Sequence, residues 1–189
     1  MQNNQKIISI FGAGGFLGKY LIRQLTKLDY RIKIATRNPY LKGYLKPLGN
    51  PGQIELFKTN IFDEEDVRRV LKNSDFAINL VGILYETRKQ KFFNIHSEIP
   101  DAISKYCSEA NVKKFIHVSA IGANKDSRSL YQKSKFEGEI KALNNFKNTI
   151  VIRPSVVCGT DDNFTNLFSK LSFLPVIPLL ELIISFNLF

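Results

Sequence analysis

The stretch Lys6-Ile7-Ile8-Ser9-Ile10-Phe11-Gly12-Ala13-Gly14-Gly15-Phe16-Leu17-Gly18 decides how this chain is read. Its first half, Lys6 to Phe11, is a nearly continuous apolar run, as expected of a strand buried on both faces. Its second half is a glycine-rich turn that opens onto Leu17, Leu21, Leu25 and Leu28, which fall on one face of a helix. Gly12, Gly15 and Gly18 give the spacing GxxGxxG. The alternative GxGxxG fails, because Leu17 occupies its third glycine position. Glycine at these places permits a tight turn and lets the backbone approach a pyrophosphate, which the exposed N–H groups and the helix dipole then hold. Strand, loop and helix stand in the order that this chemistry needs, which lifts the motif above a chance run of glycines.

Moving outward, short apolar runs alternate with amphipathic segments. Strands are predicted at Arg31–Thr36, Ile54–Lys58, Phe76–Val81, Phe115–Ser119 and Thr149–Arg153. Helices are predicted at Glu64–Lys72 with Asp63 as N-cap, at Phe92–Ala110, at Tyr131–Leu143 and at Asn163–Leu171. Pro100 either kinks the second of these or marks a new first turn. The Gly- and Pro-rich stretch Tyr40–Gln53 is predicted to be irregular and exposed. This alternation implies an α/β fold, a Rossmann-like doubly wound parallel sheet with helices on both faces. Residues 1–172 are assigned to that NAD(P)-binding domain and 173–189 to a divergent apolar tail.

Composition narrows the function. The chain has 189 residues, 44% of them hydrophobic, enough for one sizeable core. Its two cysteines, Cys107 and Cys158, and two histidines, His96 and His117, have no metal-ligand spacing, so no metal site is expected. His96, His117 and Cys107 are read as structural, and Asp161 and Asp162 as helix-capping. The formal net charge is +10, concentrated between Lys19 and Lys46. A solvated basic face explains most of it, with an anionic cofactor, acidic lipid or an acidic protein as sharper alternatives. No nucleic-acid module is visible. No signal peptide is recognised, and the apolar segment Phe173–Phe189 falls short of the roughly 20 residues of a spanning helix. A cytoplasmic location is expected, with peripheral contact at the inner face of the membrane.

Two further motifs carry chemistry. Thr36-Arg37-Asn38 follows the second strand, where an NAD-preferring domain places an acid for the ribose 2′-hydroxyl. Arg37 suits a 2′-phosphate instead, so NADP(H) is expected in preference to NAD(H). Tyr131 and Lys135 stand at i and i+4 and so share a helix face. The lysine is expected to lower the phenol pKa and to bond the ribose, making Tyr131 a candidate general acid or base.

GAGGFLG, INLVG, FIHVSA, YQKSK and IRPS together make the chain resemble an atypical or extended short-chain dehydrogenase/reductase. LVGILYETRK, FNIHSEIP, KKFIHVSAIGAN, YQKSKFEGE and IRPSVVCGTDDNFTNLF narrow the resemblance to the NADPH-carrying accessory subunits of respiratory complex I and their bacterial relatives. The resemblance implies roles by position. Gly12, Gly15, Phe16, Leu17 and Gly18 would line the pyrophosphate, Arg37 would meet the 2′-phosphate, and Asn60 and Ile61 would flank adenine. Val81 and Gly82 would pass under the nicotinamide-side ribose, which Tyr131 and Lys135 would face, and Pro154 would pack by the nicotinamide. Catalytic members place a serine or threonine near the end of strand five. Here that position is Ala120, with Ser119 one residue early and, at a strand end, pointing elsewhere. After Leu179 the sequence departs from the family, so the substrate-side part is expected to be missing.

Three readings follow. The chain is a dinucleotide-binding structural or assembly partner of a membrane respiratory complex, or a protein of quinone-related metabolism, with little catalysis. Alternatively it is an NADP-dependent reductase, epimerase or dehydratase using Tyr131, Lys135 and Ser119. The third reading is a truncated remnant without function.

Overall fold

The computed structural model describes residues 5–159. The helix expected at Asn163–Leu171, the capping role of Asp161 and Asp162, the boundary at 172/173 and the apolar tail lie outside the described residues. The compact unit that holds the site runs from Met1 to Ser155.

Six parallel strands form one sheet in the order β3-β2-β1-β4-β5-β6. They are β1 (Ile7–Phe11), β2 (Arg31–Thr36), β3 (Ile54–Lys58), β4 (Phe76–Asn79), β5 (Lys114–Val118) and β6 (Thr149–Ile152). The helices are α1 (Phe16–Lys27), α2 (Glu64–Leu71), α3 (Ile99–Glu109) and α4 (Leu130–Asn145). The α/β doubly wound architecture expected from the sequence is therefore present.

The apolar strands work by alternation. On β1, Ile8 and Ile10 join Ile22 of α1 and Ile32 and Ile34 of β2 in one core. Phe11 points the other way, into a second core with Val67 and Val70 of α2, Ile103 and Cys107 of α3 and Ala142 of α4. Ser9 shares that second direction, and its hydroxyl is satisfied by the Val70 carbonyl at 2.9 Å and by Ser74 at 2.7 Å. Two separate apolar layers, one on each face of the buried central strands β1 and β4, are what a parallel sheet demands.

The termini of the elements follow from local chemistry. Asp63 caps α2, accepting from the Asp66 N–H at 3.0 Å. Pro100 lies in the first turn of α3, after a π-helical turn at Asn94–Glu98, so it starts a helix rather than kinking one. Two expectations need correction. Tyr40–Leu48 is a 3-10 helix, not an irregular loop. The Asn38 side chain caps it by accepting from the N–H groups of Tyr40 and Leu41, and Leu45 is fully buried in the core beside β1. On α1 the buried residues are Gly18 and Ile22, flanked by Leu21 and Leu25, whereas Leu28 is 68% exposed at the C-cap.

Candidate functional site

The site begins at the crossover from β1 to α1. Gly12 has φ +82°, and a Cβ there would stand 2.8 Å from the Val81 backbone nitrogen. Only glycine lets the two chain segments come so close. Gly18 packs so tightly against the backbone of Ala13 that any Cβ would overlap it. Helix α1 has Gly15 as N-cap, no side-chain cap and no acid in its first turn, so its N-terminal N–H groups and its positive dipole end face outward.

In front of this loop lies a cleft of about 550 Å³. Gly12, Gly15, Arg37, Ile61, Val81 and Gly82, all singled out from the sequence, line it. Gly14, Asn38 and Lys42 line it as well, and among the described residues no carboxylate does. Asn60 lines an adjoining hollow of about 360 Å³ together with Arg37, Lys58, Arg69 and the carboxylate Asp66. Phe16 opens α1, and Leu17 and Gly18 follow it into the helix; none of the three lines the cleft wall. Lys42 was not singled out from the sequence. The 3-10 helix carries it across the glycine loop, so that its ammonium would lie 2.8 Å from a Cβ on Gly14. Tyr44 of the same helix donates its hydroxyl to the Gly14 carbonyl at 3.2 Å. Two cations and a helix N-terminus around this hollow suit an anionic ligand.

Tyr131 and Lys135 project from the start of α4, and Lys135 reaches the end of the cleft that Val81 and Gly82 line. Its ammonium would be 3.2 Å from a Cβ on Gly82, and it donates to the Val118 carbonyl at 3.4 Å. Burial pushes the Lys135 ammonium down to about 8, with the Glu139 carboxylate pulling the other way. Glu139 is itself held by Arg153, through bonds of 2.9 and 2.5 Å. The Tyr131 phenol is pushed up by burial, opposite to the expected lowering by the lysine. Desolvation outweighs any nearby charge there, because Tyr131 is partly enclosed by Phe92 and His96.

Ser119 is buried, and its hydroxyl finds no protein partner among the described residues. Its backbone N–H pairs with the Ile152 carbonyl, and Ile121 N–H with the Pro154 carbonyl, which tie the end of β5 to the chain beyond β6. Under the site, Asn79 uses its carbonyl oxygen to accept from Val81 N–H, so its amide nitrogen faces His117 Nδ1 at 3.2 Å. His117 therefore accepts at Nδ1 and carries its proton on Nε2, a tautomer fixed by the network. Both histidines are buried and Cys107 sits in the core, consistent with structural roles. Among the described residues no cluster could hold a metal ion, and no helix is long and apolar enough to cross a membrane.

The strand order 3-2-1-4-5-6, with a glycine turn at the first crossover and the cleft at the carboxyl ends of the strands, defines a Rossmann-type protein, the fold of dinucleotide-binding domains. The chain belongs to the NmrA-like family, whose model matches residues 4–156. It is similar to NADH dehydrogenase (ubiquinone) 1 alpha subcomplex subunit 9, mitochondrial, of Mus musculus, with 34% identity over 177 residues that cover 93% of this chain and 47% of that protein. The protein of the same name from Dictyostelium discoideum is 35% identical over 173 residues, covering 90% of this chain and 48% of its own. The chain thus spans about half the length of these curated relatives. Among solved structures, a UDP-glucuronic acid 4-epimerase from Bacillus cereus in complex with NAD superposes with a TM-score of 0.70 at 20% identity, covering 87% of this chain and 62% of the other. At that identity the likeness is one of fold.

Proposed function

We propose that this chain is an NADP(H)-binding domain that serves a membrane NADH:ubiquinone oxidoreductase as a structural or assembly subunit, docked peripherally at the inner face of the membrane, with little or no turnover. The observation that carries the reading is the cleft in front of the glycine loop, lined among the described residues by Arg37 and Lys42 and by no carboxylate, with Lys135 against its Gly82 wall. The similarity to the mitochondrial subunits supports the choice of partner.

The residues present fit a dinucleotide along the cleft. Gly12, Gly15, Phe16, Leu17 and Gly18 form the turn and helix start that would hold the pyrophosphate, with N–H groups and dipole below and the Lys42 ammonium above. Arg37 would take the 2′-phosphate, and Asn60 and Ile61 would flank the adenine. Val81 and Gly82 would run under the far ribose, with Lys135 and Tyr131 beside it and Pro154 near the nicotinamide. Bound NADP(H) would supply or accept a hydride. The chain's own residues give that chemistry little help, because the Tyr131 phenol is pushed up rather than down and Ala120 stands where a hydroxyl would polarise a substrate.

The expected result is saturable NADPH binding without consumption of the reduced nicotinamide when aldehydes, ketones or quinones are added. Sustained NADPH oxidation with any such acceptor would overturn the non-catalytic part of the proposal. A second reading, a reductase or epimerase, is favoured by Tyr131 and Lys135 sharing the start of α4. It requires that Tyr131→Phe abolish turnover while leaving NADPH affinity within about twofold.

A further inference from the structure

The loop after β4 and the helix that carries Tyr131 and Lys135 are distant in sequence, and one buried side chain joins them. His96, in the π-helical turn Asn94–Glu98, accepts the Ile83 N–H on Nε2 at 3.0 Å. Its Nδ1 lies 3.0 Å from Ser134 Oγ in α4. Ser134 gives its single hydroxyl proton to the Tyr131 carbonyl at 2.8 Å, so toward His96 it can only accept. The ring therefore donates from Nδ1, accepts at Nε2 and is neutral. An imidazolium would have two donors and would lose the Ile83 bond. The ring is also gripped from its faces. Phe92 stacks on it at 5.4 Å and 19°, and Tyr131 meets it edge-on at 5.2 Å and 86°. The His96 carbonyl packs against Gly138 so closely that any Cβ there would collide with it, which brings the π-helical turn into backbone contact with α4.

We infer that His96 is a positioning residue for the nicotinamide half of the dinucleotide site, fixing the Val81–Ile83 loop against the Tyr131/Lys135 end of α4. The inference rests on the dinucleotide reading above. Gly82 and Ile83 line the cleft, and Lys135 Nζ reaches Gly82. Removing the ring would leave the Ile83 N–H without its partner and free the loop to move away from α4.

Two measurements test this. Nitrogen NMR on the full chain should show His96 protonated on Nδ1 and His117 on Nε2, opposite tautomers in one protein. An Nε2–H signature for His96 would overturn the inference, with or without bound nucleotide. Titration with NADPH and with adenosine 2′,5′-bisphosphate, which carries only the adenine half, separates positioning from general damage. His96→Leu should weaken NADPH by about tenfold or more and leave the bisphosphate within about twofold. His96→Gln, whose amide oxygen can accept from Ile83, should recover part of the loss and covers the case in which the leucine variant fails to fold. Equal losses for both ligands, or unchanged NADPH affinity, would overturn the role of His96. If the wild-type chain bound neither ligand, the dinucleotide reading would fall first and the role of His96 with it.

Discussion

Arg37 lines the cleft, Lys135 lies against its Gly82 wall, and the two make opposite demands on the protein. Arg37 is exposed, so replacing it costs no packing. Arg37→Ala should lower NADPH affinity by about tenfold to a hundredfold, as for a lost charge-assisted bond, and leave NADH affinity unchanged. Calorimetric titration with both nucleotides checks this, and equal losses would place Arg37 outside the 2′-phosphate site. Lys135 is buried and its ammonium is held down at about 8. At pH 7 it is still charged in a place that disfavours charge, so Lys135→Met should raise stability, by on the order of 1–3 kcal/mol, while weakening dinucleotide binding. Urea denaturation beside a binding titration reads both; a variant destabilised by a similar amount would refute the trade-off. The spacing of Gly12, Gly15 and Gly18 and the position of Arg37 after β2 were legible in the sequence, because local geometry dictates them. His96 was not legible as more than structural. Its partners Ile83 and Ser134 lie 13 and 38 residues away, and no local pattern announces such a bond.

At the scale of elements, every strand and helix expected within the described residues is present, since apolar runs of period two and amphipathic stripes report burial directly. The 3-10 helix Tyr40–Leu48 escaped because its Gly43 and Pro47 read as breakers. What overrides them is one local contact, the Asn38 cap, and one tertiary one, the burial of Leu45 in the core that β1 and β2 share. This helix also delivers Lys42 over the glycine loop, a cleft residue that the sequence did not reveal. Leu45→Ala should cost about 2–5 kcal/mol of unfolding free energy, measurable by urea denaturation. It should also loosen Lys42 from its place over Gly14, so dinucleotide affinity should fall too. Unchanged stability would mean that the helix is not anchored through Leu45. Helix α1 offers a sharper test. Gly18→Ala places a methyl into the Ala13 backbone, so it should displace the helix from the glycine loop and abolish nucleotide binding. A Gly18→Ala protein that still bound NADPH would contradict the packing described for that turn.

For the whole molecule, the buried histidines set a stability limit. Burial pushes both His96 and His117 down to about 3, with the Lys135 charge adding to the effect. The unfolded chain protonates them near 6.5, so below that pH it binds more protons than the folded chain. The stabilisation is complete above about 6.5 and is lost progressively as pH falls toward 3. Each pKa unit corresponds to about 1.4 kcal/mol, so the two residues should withdraw several kcal/mol across that window. On the alkaline side the slope has the same sign: stability should rise again between about 8 and 10.5, because the unfolded chain keeps the Lys135 proton that folding disfavours. A urea series across pH measures both flanks, and a His117→Asn variant should show a shallower acid slope. An acid slope identical to that of the wild type would contradict the buried neutral histidine.

On the proposed function, the cleft before the glycine loop holds one NADP(H). Titration of the full chain by calorimetry with NADPH and, separately, with NADH tests it most directly. Saturable binding of NADPH is expected, with a Kd on the order of micromolar and one nucleotide per chain, and NADH binding at least about tenfold weaker. Absence of heat and of saturation with both nucleotides would contradict it.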